Sequence, residues 1–463
     1  VAFLFSMVVL MVGVFAPNSK GLVAGLAVLG AISTFVTAAV LLAAGFEGEF
    51  LGNAYVVDAF ALYFKLIVAF SALFAILAAI RWSGRTGDAP EYLMLILAVA
   101  VGAMMLVSMR DLFGLFVAIE LATIPSYALV AFDRRRRESS EGGMKYLLTG
   151  VMASSILLYG IVLIYGASGS ANLADVGQAF SGSLSPVALL GLVLLISGFA
   201  FKLSAAPFHF WTPDAYQGAP TSAAAFLSVA PKAATFAILL RVLLEGMPDA
   251  APTWTSVMAF LAVLTMFVGN LLALRQRNVR RMLAYSSIAH SGYILGAFAA
   301  LRGAGLDTAV QAVLIYMAAY TIMNLGAFFV IDLVGEDGKS FNGLFRSRPG
   351  VAACMAVFMA ALVGIPPFSG FFGKAWVIFA GVQAASAATY IVVGALVINS
   401  VLSVPYYFGI IRNMFFEDPV TGAEEPKGTG IVLFCVYALA IATTVFGLFI
   451  GPLSALAERS GLL

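Results

Sequence analysis

Residues 192–244 read LVLLISGFAFKLSAAPFHFWTPDAYQGAPTSAAAFLSVAPKAATFAILLRVLL. This stretch is nearly all apolar, yet it carries Lys202 and Lys232, each inside a run long enough to cross a bilayer. Pro207 follows the first lysine and Pro231 precedes the second. His209, Trp211, Pro213, Asp214, Gln217, Gly218 and Pro220 separate the two runs. A lysine at the centre of a membrane helix costs roughly 2.5–3.5 kcal/mol on insertion scales, so an intramembrane cation marks a functional site by default. Proline frees backbone carbonyls, and these are tolerated at that depth where they line a cavity or find partners. Lysine beside a broken helix is how ion carriers build a midplane site. The bland alternatives are a lysine that snorkels to an interface and one silently paired with a carboxylate.

Working outward, the chain is 62% hydrophobic and 10% charged over 463 residues, with a mean hydropathy of +1.02. Soluble domains carry about 25% charged residues, so the composition predicts an all-α polytopic membrane protein without a sizeable soluble domain. Long apolar runs favour helices over the short alternating strands of a barrel. About fourteen spans are expected, at 1–16, 21–45, 57–80, 91–109, 112–132, 143–167, 186–209, 219–244, 254–274, 280–301, 308–334, 350–382 (interrupted), 387–415 and 429–452. Residues 210–218 read as the connection after the seventh. The first run is short, which suggests that the sequence begins inside a span.

The chain divides into one continuous bundle, with a five-span block at 91–244, a second at 254–415 and a final helix at 429–452. Each block holds an interrupted helix with one lysine, the second at GIPPFSGFFGKAW, where Pro366 and Pro367 precede Lys374. This layout suggests two inverted repeats. The loops after odd-numbered spans hold most of the arginines, including Arg134 to Arg137. Those loops should face the cytoplasm, with both termini periplasmic.

Lysine and arginine divide unequally. Lys65, Lys145, Lys202, Lys232 and Lys374 fall within expected spans, while arginines cluster in loops and at span ends. A buried lysine can give up its proton and an arginine effectively cannot, so the pattern suits proton transfer. Glu120 stands alone in the fifth span, ahead of Pro125. A glutamate near a lysine in low dielectric favours the charged form of both. Either Glu120 modulates such a lysine or it forms a static ion pair. The tenth span carries Tyr285, Ser286, Ser287, His290, Ser291 and Tyr293. His290 either relays a proton or donates to a neighbouring carbonyl. The two cysteines and two histidines form no CxxC and no metal-ligand spacing, so neither a metal nor a redox cofactor is expected in this chain.

FKLSAAPFHFWTPDAYQGAPTSAAAFLSVAPKAATFA, the IEL around Glu120, NVRRMLAYSSIAHSGY and GIPPFSGFFGKAW together resemble the antiporter-like membrane subunits of respiratory complex I. The likeness spans the chain from the second span to the last. YQGAP after the PDA, and an end soon after the fourteenth span, set the chain apart from the L-type subunit with its long lateral helix. Lys374 stands where the M-type usually has glutamate. The resemblance implies that Glu120 is the fifth-span glutamate, Lys202 its seventh-span partner, Lys232 the central lysine and Lys374 the twelfth-span lysine. It implies that Lys145 bridges towards a neighbouring subunit, and leaves His209, His290 and Tyr285 as candidate relays. It gives Lys65 no role. It further implies NADH oxidation by quinone coupled to proton export; with no transit peptide visible, a bacterial inner membrane is expected rather than the mitochondrial one. NADH, FMN, iron–sulfur clusters and quinone would belong to partner subunits, and M-type and K-type neighbours would flank this chain. The alternative is a subunit of a multi-subunit sodium/proton antiporter.

Overall fold

The computed structural model describes residues 1–16, 19–86, 88–182, 184–419 and 430–462, without the side chains of 81–86. Lys427, expected in a loop, lies outside the described residues. The helices are α1 (Ala2–Phe15), α2 (Lys20–Ala43), α3 (Ala59–Thr86), α4 (Ala89–Leu106), α5 (Leu112–Val130), α6 (Arg137–Ser168), α7 (Leu173–Ala179), α8 (Pro186–Lys202), α9 (Trp211–Gly218), α10 (Thr221–Leu227) and α11 (Ala230–Arg241). There follow α12 (Ala251–Ala273), α13 (Val279–Phe298), α14 (Leu306–Val334), α15 (Leu344–Ser347), α16 (Pro349–Val363), α17 (Ser369–Gln383), α18 (Ala387–Phe416), α19 (Gly430–Leu448) and α20 (Gly451–Arg459). Strands β1 (Gly48–Phe50) and β2 (Tyr55–Val57) pair antiparallel between α2 and α3.

Among the described residues, ten helical segments are long and apolar enough to cross a membrane, and α1, α8 and α16 are shorter apolar helices. The chain is thus a helical membrane bundle. Local chemistry sets the ends. Asp111 accepts from the Gly114 amide to start α5, Ser185 with Pro186 starts α8, and Ser386 with Thr389 forms a capping box on α18. Each satisfies amides that the first helical turn leaves unpaired. Asp58 caps α3 in the same way, accepting from the Ala61 amide at 2.7 Å.

Burial falls unevenly. The most apolar 18 residues of α14 are 100% buried, against 39% for α6 and 33% for α18. α14 therefore runs through the middle of the bundle, touching α10, α13, α16, α17 and α19. α6 and α18 form its flanks. Large apolar residues on their outer faces, such as Met152 on α6 and Val401 on α18, suit hydrocarbon or a neighbouring subunit.

Three elements differ from the sequence reading. The seventh span does not continue as helix to residue 209: α8 ends at Lys202, and Ser204 adopts a left-handed φ of 59°. Pro207, which lacks an amide and disfavours helix at Ala206, keeps the chain from rejoining it. Residues 211–218 form α9, not a plain connection, with Trp211 and Tyr216 buried. The eighth span is itself divided, since α10 stops at Leu227 and α11 starts at Ala230. At that division Asn324 of α14 donates to Ser228 Oγ at 2.6 Å.

Candidate functional site

Lys202 occupies the last turn of α8 and is 9% exposed. A helix C-terminus favours a cation there. Its Nζ donates to Thr123 Oγ1 of α5 at 2.7 Å and lies 3.9 Å from Glu120 Oε1. Glu120 and Thr123 stand three apart on α5, so both face the same way. From α6, Ser154 donates to Glu120 Oε1 at 2.6 Å. A cavity of about 20 Å³, room for one water, lies beside Lys202, Thr123, Ser126 and Tyr146. Pro231 and Thr235 of α11 line it as well, which brings the second lysine's helix to the first site.

Lys232 is 2% exposed in the first turn of α11. Its Nζ donates to the Ser287 hydroxyl at 2.6 Å, the Ser287 carbonyl at 3.2 Å and the Ser291 hydroxyl at 3.1 Å. Both serines belong to α13. One turn along, His290 contacts the Tyr316 hydroxyl of α14 through Nδ1 at 3.0 Å and the Tyr407 hydroxyl of α18 through Nε2 at 3.3 Å. Tyr407 also hydrogen-bonds Ser286. The His290 ring meets that of Tyr293 edge-on with centroids 5.4 Å apart.

Lys374 closes the row. It is 5% exposed. Its Nζ donates to the Val363 carbonyl at 2.6 Å and stands 4.6 Å from the Tyr293 ring centroid. Val363 is the last residue of α16, so its carbonyl has been released from the helical ladder by the break at 364–368 that contains Pro366 and Pro367. The break thus supplies the acceptor and the ring face supplies a cation–π contact. Asn270 of α12 donates to the Tyr293 hydroxyl at 2.9 Å and accepts from Tyr406 at 2.8 Å, fixing the ring.

The remaining candidates lie apart. Lys145, 46% exposed at its side chain, pairs with Glu141 and Asp214 at 2.7 Å each. Arg281 of α13 also pairs with Asp214 and donates to Gln217 Oε1 at 3.0 Å. Burial alone would raise the Asp214 carboxyl, but the hydrogen bonds from Lys145 and Arg281 outweigh it and hold the group below its ordinary value. His209 is buried in the segment holding Pro207, and among the described residues its Nδ1 has no hydrogen-bond partner. Tyr285 is partly buried on α13 and makes none of the row's hydrogen bonds. Lys65 donates to the Tyr55 hydroxyl at 3.1 Å, outside the row.

Sequence reasoning did not single out Thr123, Ser154, Tyr316 or Tyr407. Spacing from Glu120 would have found Thr123. The tyrosines carry no local signal, because their partner arrives from another helix. A second feature was also unforeseen: Arg241, 0% exposed, pairs with Asp58 at 2.7 Å and Glu245 at 2.8 Å. Glu245 in turn faces Arg110 at 3.0 Å, and Arg110 reaches Glu49 at 3.0 Å. This network ties the hairpin region to α3 and α11 at the end of the bundle opposite Arg281.

The chain is similar to known proteins along almost its whole length. Residues 109–403 match the family described as NADH:quinone oxidoreductase/Mrp antiporter, TM. An NADH-quinone oxidoreductase subunit N from Rubrobacter xylanophilus is 72% identical over 461 residues, covering 99% of this chain and 96% of that one. A chain in respiratory complex I from Thermus thermophilus superposes with a TM-score of 0.83 at 32% identity, over 99% of this chain and 98% of that one. A chain of the Mrp complex from Dietzia sp. shares the fold, with a TM-score of 0.86 at 21% identity over 99% of this chain and 96% of that one.

Proposed function

From the premise that this chain belongs to the NADH:quinone oxidoreductase/Mrp antiporter membrane family, we propose that its buried lysines form one proton channel of a bacterial complex I. The chain is an antiporter-like membrane subunit of NADH-quinone oxidoreductase involved in proton translocation, similar to subunit N. The 72% identity to a subunit N favours this over the sodium/proton antiporter reading. The finer assignments are ours. The channel runs from Glu120 and Lys202 through Lys232, Ser287, Ser291 and His290 to Lys374. This chain moves protons and transfers no electrons, and NADH, FMN, iron–sulfur clusters and quinone belong to partner subunits. M-type and K-type subunits are its neighbours. It crosses the inner membrane about fourteen times, ten of the spans forming two inverted five-helix blocks, with both termini periplasmic.

One observation carries the proposal. Lys202, Lys232 and Lys374 are each at least nine-tenths buried and rest on hydroxyls, carbonyls and a ring. Among the described residues Glu120 alone brings a carboxylate to the row, 3.9 Å from Lys202. At an effective dielectric near 20 that separation is worth about 4 kcal/mol of attraction. Moving Glu120 away withdraws most of what holds Lys202 charged, and its proton passes to a water or hydroxyl towards α11. Lys232 then holds it on the Ser287 and Ser291 oxygens. His290, flanked by two tyrosine hydroxyls, can take and give a proton on opposite ring nitrogens. Lys374 receives it at the Val363 carbonyl.

Two measurements test this. Purification in mild detergent with mass spectrometry should recover flavin- and iron–sulfur-bearing NADH dehydrogenase subunits. Recovery of small membrane subunits alone would favour the antiporter. Lys202→Ala should leave the complex assembled and strongly reduce proton pumping and turnover. Unchanged pumping would reject the channel.

A further inference from the structure

Asp214 lies on α9, the short helix between the break beyond Lys202 and the helix pair that leads to Lys232, and its carboxylate is shared. One oxygen takes Lys145 Nζ of α6 at 2.7 Å and the other takes Arg281 of α13. Two of the three elements involved carry part of the row, and the third adjoins it. α6 carries Ser154, which holds Glu120. α9 follows the break beyond Lys202. α13 carries Ser287, Ser291 and His290, the partners of Lys232 and of the central tyrosines. We infer that Asp214 is a positioning residue through which a charge acting on Lys145 at the flank is passed to α13.

Two further observations support the assignment. First, the chain just after Asp214 is gripped by α13. Arg280 Nη1 donates to the Gln217 and Ala219 carbonyls at 3.2 and 3.0 Å, and its Nη2 to Thr221 Oγ1 at 2.8 Å. Gly142 lets α6 pack directly on α9: a Cβ there would lie 2.6 Å from the Asp214 carbonyl oxygen. Second, the ammonium of Lys145 is accessible. Its side chain is 46% exposed and is flanked on the same outer face by the exposed Leu148 and Met152. A carboxylate approaching from outside competes with Asp214 for Lys145. When Lys145 leaves, Asp214 keeps Arg281 alone, and the tie between α6 and α13 is broken. The charged groups facing Asp214 are Lys145, Glu141 and Glu138 from α6 and Arg280 and Arg281 from α13. Glu141 also holds Lys145 at 2.7 Å, so a lysine drawn from Asp214 stays on α6 while Arg281 stays with Asp214.

The inference rests on the proton-channel reading, and the test separates the two. The assembled complex in native membranes is assayed for NADH-driven quinone reduction and proton pumping. Assembly is checked by NADH oxidation with a soluble artificial acceptor. Asp214→Asn keeps the size and one acceptor but not the charge. It should cut pumping about tenfold with assembly intact, and Asp214→Glu should retain at least half. In the Asp214→Asn background, Lys145→Gln should add nothing, because both changes break one link. Effects that multiply, or Asp214→Asn within twofold of the parent, overturn the inference. If Asp214→Asn does not assemble, Arg281→Gln carries the test: a tenfold loss supports the link and parental pumping overturns it. Lys202→Ala is the control. If it pumps normally the channel itself fails; if it is dead while Asp214→Asn pumps normally, the inference alone fails.

Discussion

Lys374 Nζ lies 2.6 Å from the carbonyl oxygen of Val363, the last residue of α16. The lysine that ends the row is thus held by the helix end that the proline pair creates. Gly364 makes this approach possible. Its φ is +90°, and a Cβ there would sit 2.9 Å from Lys374 Cδ and 3.4 Å from its Nζ. Gly364→Ala should therefore strain the backbone and displace the lysine. We expect pumping to fall at least tenfold, with a lower unfolding temperature by differential scanning fluorimetry of the purified complex. Parental values for both would disprove the account.

Thr123 should matter to Lys202 independently of Glu120. Thr123→Val keeps the shape and removes the 2.7 Å acceptor. Losing a hydrogen bond to a charged group costs roughly 1.5–3 kcal/mol, which predicts about a tenfold or greater fall in turnover. Ser154→Ala acts one step further out, through Glu120, and should cost less. Turnover measured in membranes carrying each variant ranks them.

Arg241 should be structural. Its guanidinium holds Asp58 and Glu245 while itself fully buried. Removing one member of such a group leaves uncompensated charge, at a cost of about 3–5 kcal/mol. Arg241→Ala should lower the amount of assembled complex on a native gel. Arg241→Lys should not restore it, since a single ammonium replaces a two-pronged contact.

The α6–α9–α13 corner should loosen in acid. Asp214 is held below its ordinary value in the folded chain. A depressed carboxyl contributes stability that is full above the unfolded value, about 3.9, and is lost as pH falls through the folded one. Deuterium exchange of peptides covering 211–221, expressed as protection factors, should show the parent better protected than Asp214→Asn at pH 5–8. The difference should shrink below about pH 4. A difference that persists unchanged at pH 3 would contradict the assignment of charge to Asp214.

Much of this was legible in the chain itself. Lys202, Lys232, Lys374 and Glu120 stood out because insertion into hydrocarbon makes any charge conspicuous. The Pro366–Pro367 pair marked the second break. The first break was displaced because Pro207 constrains only its own neighbourhood, whereas α8 ends at Lys202 through the left-handed Ser204. The division at Ser228 carried little signal: the donor that Ser228 meets there belongs to Asn324, almost a hundred residues away in α14. For the same reason Tyr316 and Tyr407 could not be paired with His290 from sequence. The hairpin at 48–57 was too short to show an alternating pattern, and Arg241 looked like an ordinary span-end arginine until Asp58 was brought to it.

The central position of α14 bears on biogenesis. Its middle is wholly enclosed by protein, yet α16, α17 and α19, which cover it, are synthesised later. A nascent chain that has reached residue 334 must therefore hold Tyr316, Tyr320, Thr321 and Asn324 against lipid or a chaperone until the last helices arrive. Ribosomes stalled before α19 should leave a subunit that insertion machinery still shelters, which would make α19 the release step of membrane integration.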